Sequence, residues 1–360
     1  MKSFDEIFVD KTKYGVKVQT TEYSEVGEHI IIDQGQSQIA GYTDRQEGLF
    51  EEVPVVIFGD HTRVIKYVDE PFFLGADGVK VLRSKDDNAN YKYLYYALKN
   101  ARIPDTGYNR HFKWLKEVQI NYPDSDKQAE IVDILDNVSS VIKKREDELC
   151  VLDDLIKARF VEMFGDNDKK IAISSLCDVS GGYSFKSEDI SSTGFIKILQ
   201  IGNVYLDDVN WETTNYLPKG FDNVYSRFLL NEGDIVIALT RPIIQSLGNV
   251  KACIVKVSDT PCLLNQRVGR IVSKKNVDVN LKFIYGCLMT DDFTRYVESC
   301  CIGCSQPNIS TKDIENYMIP DASYEKQMDF VKFKEQVDKS KVVVQKALDE
   351  TQILFNSLMQ

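Results

Sequence analysis

The chain has 360 residues, 43% of them apolar and 28% charged, a globular composition with room for two or three domains. Its 44 Lys and Arg against 55 Asp and Glu leave a formal charge of −11, which excludes a uniformly basic nucleic-acid coat but allows local basic faces. No apolar run approaches the roughly 18 residues of a bilayer helix, and the N-terminal stretch lacks the layout of a signal peptide. The eight cysteines therefore read as reduced thiols, and the expected setting is cytoplasmic with no membrane contact.

In chain order, Val53–Phe58 is a short apolar run of strand character, and Tyr91–Lys99 a short helix followed by a turn-rich stretch. The pattern then changes. From Asp126 to Phe164 there is neither Gly nor Pro, and apolar residues fall at Ile131, Leu135, Val138, Ile142, Leu149, Leu152, Ile156 and Met163. With Arg145 and Arg159 filling the gaps, the spacing alternates four and three, the heptad seam of a coiled coil. Pro123-Asp124-Ser125-Asp126 supplies cap candidates ahead of it and Gly165 stops it. Nearly forty residues at about 1.5 Å each span roughly 55–60 Å. The second half repeats the order: a strand at Asp234–Leu239, a helix at Leu281–Thr290, then a Gly- and Pro-free stretch from Ser323 to Gln360. Its seam runs Phe330, Lys334, Val337, Lys341, Val344, Leu348, Thr351, Phe355, Leu358. Two lysines and a threonine weaken it, so the second long helix is expected to depend on the first, paired antiparallel.

The two halves align in register. Lys66-Tyr67-Val68-Asp69-Glu70-Pro71-Phe72-Phe73-Leu74 matches Lys256-Val257-Ser258-Asp259-Thr260-Pro261-Cys262-Leu263-Leu264 at an offset of 190, which also sets Tyr91–Leu98 on Leu281–Leu288. Lys116-Glu117-Val118 falls on Lys312-Asp313-Ile314 at offset 196, and Lys127-Gln128 on Lys326-Gln327 at 199. Two separated blocks sharing one offset point to an internal duplication, with later growth from loop insertions. Expected segments are 1–125 and 166–322 for the globular domains, and 126–165 and 323–360 for the helices.

Positive charge is segregated. Leu82–Lys116 holds eight bases and three acids, and Ile235–Lys275 seven bases and one acid. Windows of +5 and +6 leave −22 on the remainder. Basic surface interleaved with Tyr, Asn and Gln suits phosphate tracking plus base-edge reading. Gln34, Gln36 and Gln38 alternate on a strand-like run, which would put all three on one face. Gly59-Asp60-His61-Thr62-Arg63 is a polar turn after a buried strand; Arg241, Gln245, Asn265, Gln266 and Arg267 are the counterpart in the second half. Arg suits guanine, and Asn or Gln suits adenine, by bidentate geometry. Lys274 is read as a phosphate contact.

Catalytic signatures are missing. There is no G-x-x-x-x-G-K-[ST] phosphate loop. Asp69-Glu70-Pro71-Phe72 departs from an amino-methyltransferase tetrapeptide in having Glu where Pro is needed, and it abuts the nearest Gly-rich turn directly. Cys300-Cys301 with Cys304 lacks a second pair to complete a zinc site. His61 beside Asp60 has no marked nucleophile. Asp124 and Asp321, each after a proline, stand where helix caps are needed.

Several segments resemble the specificity subunit of type I restriction–modification systems, over essentially the whole chain. Leu155-Ile156-Lys157-Ala158-Arg159-Phe160-Val161-Glu162-Met163-Phe164-Gly165-Asp166 is similar to the family's central helical region. Leu176-Cys177-Asp178-Val179-Ser180-Gly181-Gly182-Tyr183-Ser184-Phe185-Lys186-Ser187 resembles its usual domain start. Ile201–Val204, Leu264–Gly269, Ile39–Asp44 and Phe58–Arg63 also fit. The first domain does not open with the short Leu-containing start of the second, so the two are expected to be divergent types.

The resemblance implies an α+β fold: two globular α/β target-recognition domains in pseudo-two-fold repeat, separated by two long antiparallel coiled-coil helices. It implies a noncatalytic reader of a bipartite, asymmetric double-stranded DNA target, with half-sites held near one duplex turn apart, about 34–36 Å. Two methyltransferase subunits would dock on the helices and carry S-adenosylmethionine; in the restriction form two further subunits would carry ATP; this chain itself would hold no cofactor or metal. The DNA-contacting candidates are Gln34, Gln36, Gln38, Tyr42, His61, Thr62, Arg63, Arg83, Arg110, Tyr183, Lys186, Asn203, Arg241, Gln245, Asn265, Gln266, Arg267 and Lys274. Helix pairing falls to Leu135, Val138, Ile142, Leu149, Leu152, Ile156, Val337, Val344, Leu348 and Phe355. The competing readings are a self-contained DNA adenine methyltransferase and a coiled-coil scaffold.

Overall fold

The computed structural model describes residues 1–75, 77–107, 109–165, 167–244, 248–301 and 307–359. It divides into two compact units, Met1–Asp147 with Val344–Gln360, and Glu148–Val343. Each long helix is thus shared between the units.

The first unit runs β1 (Lys2–Ser3), α1 (Phe4–Ile7), β2 (Phe8–Asp10), β3 (His29–Ile32), β4 (Gly41–Thr43), β5 (Val55–Gly59), β6 (Ile65–Val68), β7 (Phe72–Leu74), β8 (Val79–Ser84), α2 (Tyr91–Lys99), α3 (Phe112–Leu115), β9 (Gln119–Ile120) and the long helix α4 (Ser125–Phe164). The second continues with β10 (Lys170–Ala172), α5 (Ile173–Leu176), β11 (Cys177–Gly181), β12 (Ile196–Leu199), β13 (Asn215–Leu217), α6 (Phe221–Val224), β14 (Ile235–Ala238), β15 (Ile243–Ile244), β16 (Asn249–Val250), β17 (Ala252–Ile254), β18 (Cys262–Leu264), β19 (Val268–Ser273), α7 (Leu281–Leu288), α8 (Asp291–Cys300), α9 (Thr311–Asn316), β20 (Met318–Pro320) and α10 (Tyr324–Leu358).

Strand order reveals one topology used twice. A four-stranded antiparallel sheet is ordered β2-β8-β5-β6 in the first unit and β11-β19-β14-β17 in the second. A three-stranded sheet is ordered β4-β3-β7 or β13-β12-β18, with its β3–β7 or β12–β18 pair parallel. The ribbon β1–β9 recurs as β10–β20. The second unit adds the hairpin β15–β16 and the helix α8, the latter where the sequence pattern predicts only turns. α8 forms because Thr290 caps it and Phe293 and Val297, four apart, are buried.

Burial explains the continuous apolar strands. In β5, Val56 and Phe58 face a core shared with α2 and α4, while Val55 and Ile57 face the three-stranded sheet. Alternate residues of one strand thus serve two cores, so no polar position is left. β14 does the same, with Ile235 and Ile237 in one core and Val236 in another.

The long helices begin alike. The Lys127 amide donates to Asp124 Oδ1 at 2.9 Å, which confirms the cap. Gln128, buried, donates through its side chain to the Pro123 carbonyl at 2.8 Å; Gln327, also buried, donates to the Ala322 carbonyl at 2.9 Å. The Lys-Gln pair matched by the sequence repeat therefore has one structural task in each copy.

The two long helices pack against each other within each unit. In the second, Asp153 pairs with Lys341 and the Phe160 and Phe330 rings meet edge-on at 5.3 Å, so α4 and α10 run antiparallel there. In the first, Val132 and Leu135 share a core with Phe355, whose ring lies 6.1 Å from that of Tyr96. Of the seam residues, Leu135, Val337, Val344 and Phe355 are buried, and Val138, Ile142, Leu149, Leu152, Ile156 and Leu348 are half-buried. Leu358, the last of the second seam, is exposed, and Val132 is a buried residue the heptad reading missed.

Candidate nucleic-acid interface

In each unit a set of turns gathers at one end of the sheets. In the first, these are the β3–β4 loop, the Asp60–Arg63 turn after β5, the turn before β8, and the segment leading into α3. Asp60 ties three of them together. Its amide donates to the Gly78 carbonyl (2.7 Å), its carboxylate accepts the Phe112 amide (2.7 Å), and its carbonyl accepts the His111 amide (2.8 Å). Asp60 is 4% exposed, which matches a structural hub and not a general base. His111 is buried, with Nδ1 3.1 Å from the same carbonyl and Nε2 3.3 Å from the Thr106 hydroxyl.

Gln34 fastens the β3–β4 loop to these turns. Its side chain donates to the Asp77 carbonyl (2.9 Å) and accepts the His61 amide (3.1 Å), while the Thr62 hydroxyl donates to the Gln34 carbonyl (2.7 Å). Gly78 sits at φ 95°, a left-handed conformation that side chains rarely adopt, and a Cβ there would press on the Gln34 amide at 2.6 Å. Arg63 sits at φ 62° and pairs with Asp105 at 2.7 Å. The hydrogen bond that Asp105 accepts from the Gly107 amide, and then the Arg63 guanidinium, hold its carboxyl below the ordinary carboxylate range.

The expectation that Gln34, Gln36 and Gln38 alternate on a strand is corrected. The segment is a run of bends after β3. Asp33 Oδ1 accepts the Gly35 amide at 2.7 Å and turns the chain before a strand can continue. Gln34 points inward, Gln38 donates to the Tyr67 carbonyl (2.7 Å), and Gln36 is exposed. Tyr42 is half-buried on β4, paired with Ile30.

In the second unit the corresponding turns are Asn265–Arg267 before β19, Leu239–Arg241 after β14, and Gly182-Tyr183 after β11. They are stitched by backbone. The Tyr183 amide donates to the Leu264 carbonyl (3.0 Å), the Gln266 amide to the Tyr183 carbonyl (3.0 Å), the Leu239 amide to the Arg267 carbonyl (3.0 Å), and the Arg241 amide to the Pro307 carbonyl (2.8 Å). Gly182 is obligatory, since a Cβ would lie 2.2 Å from the Asn265 carbonyl oxygen. Tyr183, Arg241, Gln266 and Arg267 are exposed on this end and Asn265 is half-buried. The Tyr183 ring joins those of Tyr225 (4.6 Å), Phe185 (5.1 Å) and Phe228 (5.4 Å) in an aromatic cluster. Tyr225 was not singled out from sequence; its place follows from the loop between β13 and β14 folding back on Tyr183, which no local pattern signals.

Several expected contacts lie elsewhere. Asn203 is 2% exposed, its amide donating to the Asn210 and Thr213 carbonyls and its oxygen accepting the Gln200 amide. It braces a loop and cannot reach a base. Lys274 follows β19 whereas the Asn265–Arg267 turn precedes it, about 20 Å away at ~3.3 Å per residue, and its ammonium donates to the Ser174 carbonyl. Arg83 lies near the far end of β8 and pairs with Glu52 at 3.2 Å. Lys186 is exposed and pairs with Glu188. Arg110 is exposed, and Gln245 lies outside the described residues.

Nor do the two basic windows form continuous faces. Lys92 pairs with Asp136 on α4 (2.6 Å), and Lys99 lies over the Phe355 ring (5.4 Å). Arg270 pairs with Asp234 (2.8 Å) and Lys256 with Asp208 (2.9 Å). A linear window crosses strands and helices that point its bases in different directions; Arg110, Arg241 and Arg267 are among those it leaves exposed on loops.

Among the described residues no group of three or more His, Cys, Asp or Glu is placed to hold a metal ion. Cys300 and Cys301 are half-buried, and Cys304 lies outside the described residues. Among the described residues, too, no helix is long and apolar enough to cross a membrane.

Duplicated β-rich domains, each presenting polar loops at one end of its sheets and each followed by a long helix, define a tandem-repeat α+β protein. The chain matches the type I restriction modification DNA specificity domain over residues 10–150 and again over 166–350, and it belongs to that family. It is 29% identical over 278 residues to the type I restriction enzyme MjaVIII specificity subunit of Methanocaldococcus jannaschii, covering 69% of this chain and 64% of the relative. It is 33% identical over 150 residues to the EcoAI specificity subunit of Escherichia coli, covering 41% of this chain and 24% of that protein. The EcoR124I/EcoR124II specificity subunit of Escherichia coli is 23% identical over 350 residues, 91% of this chain and 83% of the relative. The match thus spans less than two thirds of the first two relatives. The fold is similar to that of a type I restriction–modification S subunit from M. genitalium, with a TM-score of 0.56 at 16% identity over 99% of this chain and 94% of that one.

Proposed function

We propose that this chain is the sequence-reading component of a type I restriction–modification complex, noncatalytic in itself, which recognises a bipartite DNA target with one half-site per domain. The observation that carries the reading is the double family match combined with the paired loop ends. The loop ends of both domains carry exposed polar side chains, but different ones: Gln36, Thr62 and Arg110 in the first, Arg241, Gln266 and Arg267 in the second, with Thr62 and Arg241 on equivalent turns after β5 and β14. Arg and Gln at base edges supply bidentate discrimination, and dissimilar sets imply dissimilar half-sites.

On this reading two methyltransferase subunits dock on the long helices and bring S-adenosylmethionine, and any nuclease subunits bring ATP. The chain's own residues hold and orient the DNA. The test is co-expression with a cognate methyltransferase subunit and mapping of methylated adenines in the host DNA. A single asymmetric, two-part motif is expected; methyl transfer by the isolated chain, or methylation without any motif, would overturn the proposal. Arg267→Ala or Gln266→Ala in the complex should alter preference at one half-site alone.

A further inference from the structure

The β3–β4 loop of the first domain is fastened at its base by a buried cation. Lys66, on β6, is 2% exposed. Its ammonium donates to the Ser37 carbonyl at 2.6 Å and faces the Asp33 carboxylate at 3.6 Å, so its partners stand at both ends of one bend. Burying an ammonium is costly unless oxygens replace its water, and here the loop supplies those oxygens. Asp33 in turn holds the Gly35 amide. Gln34 and Gln38 are committed to the Asp77 and Tyr67 carbonyls. Gln36 stands between them, exposed, with no hydrogen bond to the protein among the described residues. Its amide presents a donor and an acceptor side by side, the pattern that pairs with N6 and N7 of adenine in the major groove.

We infer that Gln36 reads an adenine of the first half-site and that Lys66, through Asp33 and Ser37, is the positioning residue that sets the loop for it. The inference rests on the DNA-reading function proposed above. Removing one partner of a buried ion pair is costly when the charge left behind is cut off from water, but the Asp33 side chain is 25% exposed and still accepts the Gly35 amide, so its carboxylate stays solvated without Lys66. Lys66→Met therefore separates positioning from mere folding: the domain keeps its core while the loop loses its tether.

The experiment uses the full chain in the assembled methyltransferase complex. Methylation rates are measured on duplexes in which each base pair of either half-site is varied in turn, with urea unfolding measured in parallel. Gln36→Ala is expected to lower discrimination at one A·T pair roughly 5- to 150-fold, the value of one bidentate contact. Lys66→Met should relax the same pair about tenfold or more, the double variant should be no worse than Gln36→Ala alone, and the second half-site should be unchanged. Asp33→Asn, which keeps the Ser37 bond, should relax that pair less and serves if Lys66→Met does not fold. A Lys66→Met or Asp33→Asn complex with unaltered preference at that pair, or one relaxed equally at both half-sites, would overturn the role of Lys66. A wild-type complex with no motif would instead overturn the DNA-reading proposal itself.

Discussion

The Arg270 guanidinium lies 2.8 Å from the Asp234 carboxylate, and both side chains are largely shielded from solvent inside the second domain. Arg270 also donates to the Leu229 carbonyl, and Asp234 accepts the Asn231 amide. A base counted toward a DNA-facing surface in the linear sequence thus closes the turn ahead of β14. Replacing it by methionine strands a buried carboxylate, and we expect a loss of about 3–5 kcal/mol in urea unfolding. The methylation motif of whatever complex still assembles should be unchanged.

Arg267 and Lys274 should behave differently. Arg267 is exposed on the turn before β19, while Lys274 is engaged with Ser174 beyond the strand's other end. Arg267→Ala is expected to cost about 1–3 kcal/mol of discrimination at one position. Lys274→Ala should leave both the motif and the salt dependence of DNA binding unchanged, contrary to its reading as a phosphate contact. Binding titrations of the complex across a salt series check both.

The helical junction of the second domain hangs on Phe330. It is 1% exposed and packs against Phe160 (5.3 Å) and Phe164 (5.8 Å) of α4. Phe330→Ala should destabilise this domain by about 3–5 kcal/mol, seen as a lower urea midpoint. Gly286→Ala should act on the same ring, since its Cβ would lie 2.7 Å from Phe330 Cε1.

Alkali provides an independent handle. Burial pushes the Cys177 and Cys262 thiols up to about 12, and raises Cys253 and Cys287 further, from an ordinary value of 9.0. A group whose folded value is raised stabilises fully below its unfolded value and loses that contribution as pH climbs through the folded one. Urea midpoints should therefore hold up to about pH 9 and fall between about 9 and 12. At pH 8, iodoacetamide should label exposed Cys150 and spare Cys177 and Cys262, as read by peptide mass spectrometry.

Repetition and periodicity made the architecture legible. The Lys-Gln pair at 127–128 and 326–327, the Asp124 cap and the uninterrupted apolar strand at Val55–Phe58 depend on neighbours a few residues away, or on burial common to every copy of the fold. The polar loop ends depend on neighbours far away. Gln34 and Gln36 are two residues apart and chemically identical, yet one meets the turns after β5 and β7 while the other meets solvent.

The sequence by itself thus determined the duplication, the paired long helices, the strand cores and the family, because these rest on period, spacing and composition. Tertiary structure decided which polar side chains are fasteners and which are exposed. Burial of Asn203, Lys66 and Arg270, and capture of Gln34 and Lys274, come from carbonyls and carboxylates brought close in space by strand pairing, and hydrogen bonds of that reach leave no mark in local pattern. Net charge followed the same rule. It placed a limit on the class of protein, while ion pairing between distant elements decided which basic side chains are tied to the protein itself.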